Sequence, residues 1–192
     1  VYAIYTGQNA GALDGEIAVL WLKAFGVHAV AVGGPRSGEH YKPFVNPGKF
    51  SGLLPVIYRE GDDYIYAVPS RTDSLAHVVR RGDLVARPPI HGLDVEQVRR
   101  YVAALEDPTL PPATMSWTSR HSARITADLD RGQLISVQVN YHPGWRAEVN
   151  GVRRRVRADE IGLIVVAPEC EGRSTIDLIY DGGTEMKIAR IA

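Results

Sequence analysis

The sequence predicts an α+β fold: a small N-terminal α/β subdomain over residues 1–107, built from a βαβ unit plus a hairpin and ending in a helix, then a C-terminal antiparallel β-sandwich of jelly-roll type over residues 113–192. Three observations carry this. Residues 137–182 break into short period-2 runs separated by turn residues, the pattern of strands with one buried face. Residues 90–107 hold a capped, one-faced helical repeat that stops at Pro108, Pro111 and Pro112. Residues 1–32 read strand, helix, strand, close to the ~30 residues of a βαβ unit, so the first and third elements are expected to be parallel neighbours.

In order, residues 1–5 (VYAIY) form a β-branched and aromatic run expected as a strand, and residues 6–11 (TGQNAG) a loop. Ile17, Leu20, Trp21, Ala24 and Phe25 then repeat at helical spacing, with Asp14 as N-cap and Gly26 as the C-terminal stop. Residues 27–32 (VHAVAV) suit a buried strand. Residues 33–55 are rich in Gly and Pro without a period, so they read as a long surface loop; no Gly-Lys-Ser/Thr follows to make it a phosphate loop. Residues 55–58 and 64–68 flank REGDD as a hairpin, whereas residues 75–79 suit a strand or a helical turn equally.

The second helix has Asp94 three residues before Gln97, a capping-box spacing, with Leu93 and Val98 placed for a hydrophobic staple and Val95, Val98, Val102 and Leu105 on one face. The three prolines after it form a stiff connector and the predicted domain boundary. Residues 115–118, 123–127 and 133–141 are expected strands. Pro143-Gly144 then breaks the pattern; Trp145, Ala147 and Val149 face one way, and Asn150-Gly151 is the dipeptide that best occupies both positive-φ positions of a type I′ turn. Residues 152–157 return in alternation, residues 161–167 suit a fully buried strand, and residues 174–180 alternate again.

With 22 basic and 22 acidic residues the formal charge is zero, so no broad attraction to nucleic acid or an anionic membrane is expected. The basic run Arg153, Arg154, Arg155 and Arg157 reads as a solvated strand face. One cysteine, Cys170, rules out an internal disulfide, and between Glu169 and Glu171 its thiolate would be disfavoured. The six histidines show neither an i+4 pair nor an HxH spacing, so no metal or cofactor is signalled. No nucleophile elbow occurs, and the pairs Asp62-Asp63 and Asp159-Glu160 read as solvated turn residues; no catalytic residue is assigned. No apolar run reaches the ~18 residues a membrane span needs. The opening residues read as mid-strand, suggesting a piece of a longer protein.

The residues with binding potential are Tyr141, His142 and Trp145 around the Pro-Gly turn, because aromatic rings at a sandwich edge stack on the C–H face of a sugar. Strand alternation gives Trp145 a competing place in the core, beside Ala147 and Val149. Trp21 and Trp117 are expected in the core as well.

The run YHPGWRAEVNGVRRRVRADEIGLIVVAPECEGRSTIDLIYD resembles the C-terminal soluble region of YfhO-like bacterial membrane proteins. Those carry Tyr-x-Pro-Gly-Trp-x-Ala-x-Val-Asp-Gly, a hydrophobic strand, Pro-x-Gly and an aromatic strand end. The matching positions are Tyr141, Pro143, Gly144, Trp145, Ala147, Val149, Asn150 and Gly151, then Pro168, Gly172 and Tyr180, with Asn150 where Asp is more usual. The first half is similar in its helix, its GVHAVAV strand and its hairpin ending IYAVP. The resemblance implies a non-catalytic, extracytoplasmic accessory domain of a polytopic, glycosyltransferase-like protein, tethered at the bacterial inner membrane by segments outside this sequence and orienting a glycan acceptor. Its implied partners are the membrane-embedded remainder of the same polypeptide and a glycan. A free-standing carbohydrate-binding β-sandwich and a purely structural module are the alternatives.

Overall fold

The computed structural model describes residues 2–7, 10–40 and 42–182; the expectations that touch Val1, Gln8, Asn9, Tyr41 and residues 183–192 lie outside these. The fold is α+β, with three antiparallel sheets of three, four and five strands. The chain divides into two compact units, one of Val1–Asp73 with Pro89–Val102 and one of Ser74–Pro88 with Ala103–Ala192. Residues 74–88 and 103–107, which the sequence grouped with the N-terminal subdomain, therefore belong to the second unit.

The first unit opens with helix α1 (Tyr2–Thr6), not with a strand. Five residues carry too little intrinsic preference to hold a strand against tertiary contacts. Here Ile4 is buried, the Tyr5 ring lies 5.2 Å from Phe44, and the Tyr5 carbonyl accepts the Val45 N–H. Helix α2 (Asp14–Ala24) follows and buries Ile17, Leu20, Trp21 and Ala24. It ends as a Schellman turn, with Val27 N–H donating to the Leu22 carbonyl and Gly26 N–H to that of Lys23. Asp14 does not cap it: Asp14 is the first helical residue, and Leu13 stands at the N-cap without a side-chain bond.

The Asp14 carboxylate is instead used in the interior. Its Oδ1 is 2.9 Å from Lys49 Nζ, and the lysine side chain is 1% exposed. Lys49 also donates to the Ile4 carbonyl and lies 5.5 and 5.7 Å from the Phe44 and Phe50 ring centres. Asn46 Nδ2 reaches Asp14 Oδ2 at 3.4 Å. One buried cation thus ties α1, α2 and the 3-10 turn Pro47–Phe50 together.

Strand β1 (Ala29–Gly33) pairs antiparallel with β3 (Asp63–Ala67), and β3 pairs with β2 (Val56–Glu60) in the expected hairpin. The βαβ reading is therefore corrected: among the described residues β1 has no parallel partner, because Tyr2–Thr6 is helical and β3 holds the centre of the sheet. Trp21 Nε1 donates to the Gly92 carbonyl at 2.9 Å, fixing residues 89–102 to this unit. Helix α3 (Glu96–Leu105) buries Val98, Tyr101, Val102 and Leu105, as its spacing requires.

In the second unit, residues 75–79 resolve as strand β4 (Ala76–Val79). It pairs with β7 (Leu134–Asn140), and the sheet continues through β11 (Leu163–Val166) to β10 (Val156–Ala158). The other sheet runs in the order β5 (Ala113–Ser119), β6 (Ser122–Leu129), β12 (Gly172–Tyr180), β8 (Trp145–Val149), β9 (Val152–Arg154). Ile125, Val149, Ile176 and Leu178 from one sheet and Ile135, Val137 and Ile164 from the other share a single buried core. This is a β-sandwich. Asn150 at φ 49° and Gly151 at φ 80° form the turn that Asn-Gly predicts. The return strand differs from expectation: it breaks at Arg155, so β9 stays in the sheet of β8 and β10 crosses to the other.

Asp159 is a second correction, since it is 5% exposed rather than solvated. Its Oδ1 accepts the N–H groups of Ile161 (3.0 Å) and Leu163 (2.8 Å), closing the turn before β11, while the buried Oδ2 has no hydrogen-bond partner among the described residues. Burial pushes this carboxyl above the usual aspartate range, against the opposing pull of the Leu163 and Ile161 N–H groups and of Arg157. A folded value above the unfolded one means that the stabilisation is complete below the unfolded pKa, about 4, and is lost as pH rises through the folded value. Asp159→Asn keeps the acceptor oxygen and cannot ionise. Its melting temperature should gain on the parent's as pH climbs through that window, and parallel curves would show that Oδ2 is hydrated.

Candidate functional site

The sheet register brings an aromatic cluster to one end of the sandwich. Trp145 at the start of β8 stands opposite Tyr180 at the end of β12, with ring centres 5.2 Å apart. Trp117 on edge strand β5 pairs with Ala123 of β6, which in turn faces Leu178. The small Ala123 side chain leaves space for the Trp117 indole to lean inward, 6.5 Å from Trp145. The Pro-Gly turn adds His142, edge-on to Tyr180 at 5.4 Å. The β5–β6 turn adds His121, 6.2 Å from the same ring.

Backbone bonds hold these loops in place. Tyr180 N–H donates to the His121 carbonyl at 2.7 Å, and Asp181 N–H to that of Gly144 at 2.9 Å. Gly144 N–H donates to His142 Nδ1 at 3.0 Å, so Nδ1 carries no proton and the ring is the Nε2–H tautomer. Arg146, one position after Trp145 and so on the other face of the sheet, makes a partly exposed ion pair, its Nε 3.4 Å from Asp181 Oδ2.

Trp145 is 8% exposed and serves as the floor of the cluster, which is the core side of its alternation. Tyr141 is half-buried and packs against the core, its N–H donating to the Gly162 carbonyl at 2.8 Å. His142 is half-buried and faces Tyr180. Trp117 is the exception to the expected burial, for it is 51% exposed. It sits on an edge strand at the open end of the sandwich, and period-2 alternation gives the face of a residue without saying whether anything covers that face. Trp117, His121 and Tyr180 were not singled out from the sequence as a site; the available signal was an aromatic residue at one end of each of three expected strands.

The rings form an aromatic row whose exposed member, Trp117, suits stacking. Cys170 lies apart, its Sγ 3.1 Å from Ser174 Oγ. No group of three His, Cys, Asp or Glu side chains among the described residues is placed to hold a metal ion. No described helix is long and apolar enough to cross a membrane. No family model, curated protein or solved structure matches the chain.

Proposed function

We propose that this chain is a glycan-contacting accessory domain of a YfhO-like polytopic membrane protein, on the extracytoplasmic side, where the open aromatic end of the sandwich orients a glycan acceptor. The observation that carries the reading is the exposed Trp117 indole lying over a row of rings, where an uncovered aromatic face has no packing role to account for it. A sugar ring placed there would lay its C–H face on the Trp117 indole. The buried Trp145 and half-buried Tyr180 keep the platform rigid, which lowers the ordering cost of weak binding.

Titration of the protein with neutral and amino-sugar oligosaccharides, followed by amide chemical shifts, tests the platform. Trp117→Ala is expected to weaken binding about tenfold while leaving the fold intact, because the side chain is at the surface. Unchanged affinity in a folded Trp117→Ala protein would remove the platform, and no binding by the parent protein would favour a purely structural module. The membrane parentage is checked separately, by reading the gene's open frame for hydrophobic spans upstream of Val1.

A further inference from the structure

The first unit carries a cleft of about 270 Å³ between one face of the three-stranded sheet and the Pro47–Phe50 turn. Its lining includes Val32, Tyr64, Tyr66, Val56, Asp62 and Ser51. Register explains the floor. Val32 stands opposite Tyr64, and Tyr66 opposite Val56, so apolar side chains of three strands meet on one face. The Tyr64 and Tyr66 rings lie 5.8 Å apart and 20° from parallel, and Phe50 backs Tyr66 at 5.9 Å.

Among the described residues, Asp62 is the one charged side chain in this lining, and its position is fixed in advance. Its carbonyl accepts the Gly34 N–H at 2.8 Å and its Oδ2 the Arg36 N–H at 2.7 Å. A Cβ on residue 34 would stand 2.4 Å from Oδ2, so the chain can pass this close to the carboxylate only as glycine. Among the described residues, the partner recorded for Oδ1 is the Arg36 guanidinium at 3.8 Å, whose side chain is 88% exposed and screened by water. A held carboxylate oxygen at the edge of an apolar, aromatic cleft is an acceptor awaiting donors.

Charge narrows what those donors belong to. The Asp62 carboxylate repels phosphates, sulfates and uronates. The Arg59 guanidinium, 5.1 Å from the centre of the Tyr64 ring, already uses that ring's cation-binding capacity and repels a second cation. What remains is an uncharged ligand with an apolar face and hydroxyl donors, of a size near the lower end of the ~300–1,000 Å³ usual for small-molecule pockets. We propose that this cleft binds a single neutral sugar ring, its C–H face against Tyr64 and the exposed Val56 and its hydroxyls donating to Asp62. The site is independent of the aromatic end of the sandwich, so either can fail without the other.

The test is an amide-shift titration of the whole chain with the methyl glycosides of glucose, galactose and mannose, with glucuronate and choline as charged comparators. At least one neutral glycoside should shift the amides of Gly34, Gly48, Ser51 and Tyr64 with a dissociation constant on the order of millimolar. Asp62→Asn keeps an oxygen for the Arg36 N–H and should weaken binding about tenfold by removing a charged acceptor. Tyr64→Leu keeps an apolar wall without the ring face and should weaken it similarly, whereas Trp117→Ala should change nothing here. The proposal is overturned if no neutral glycoside shifts these amides at about 50 mM, if glucuronate or choline binds more tightly, or if both cleft variants bind like the parent.

Discussion

Removing either partner of the Asp14–Lys49 pair is expected to cost about 3–5 kcal/mol, the largest single effect in the first unit. Lys49→Met leaves the Asp14 carboxylate buried with, among the described residues, the Asn46 amide in reach, and Asp14→Leu leaves an ammonium between two phenylalanine rings beside the Ile4 carbonyl. The double variant Asp14→Leu with Lys49→Met should recover most of the loss, since an apolar pair of similar volume avoids desolvating two charges. Urea denaturation of the four proteins yields the coupling between the positions. Additive losses of less than about 1 kcal/mol would mean that water reaches the pair and screens it.

Trp145→Ala is expected to destabilise the second unit by about 3–5 kcal/mol, through lost burial and the cavity left between β8 and β12. Trp117→Ala, in the same cluster, should change stability by about 0.5 kcal/mol or less. Two tryptophans 6.5 Å apart thus separate the two roles of the cluster, one structural and one available to a ligand. Amide exchange in β8 and β12 is the suitable readout, because a chain of two units need not unfold in one step. Similar losses at both positions would place Trp117 among the core residues after all.

The parts of this fold legible in the sequence are those set by neighbours along the chain. Asn150-Gly151 announced its turn because few dipeptides accept two successive positive φ angles. The burial of Val98, Val102 and Leu105 followed from helical spacing, and that of β11 from an unbroken apolar run. What was not legible depends on distant partners. Asp14 looked like a cap because its neighbours make a helix; that it faces Lys49 is decided by residues 35 positions away. Asp159 looked like a surface turn because nothing local reveals that the turn is covered. The candidate site was half legible. The Pro-Gly-Trp turn drew attention to His142 and Trp145, but Trp117 and Tyr180 join them only through the order of strands in the sheet.

That order has a consequence for how the sandwich is made. β12 lies between β6 and β8 and follows both in the chain: Arg124 and Asp177, joined across the β6–β12 ladder at 2.8 Å, are 53 residues apart. The hairpins β5–β6 and β8–β9 can each close on local contacts, but each then presents an open strand edge with an apolar face until β12 is inserted. The molecule's period of greatest exposure to mispairing is the interval when both halves of the larger sheet exist and the strand that joins them does not.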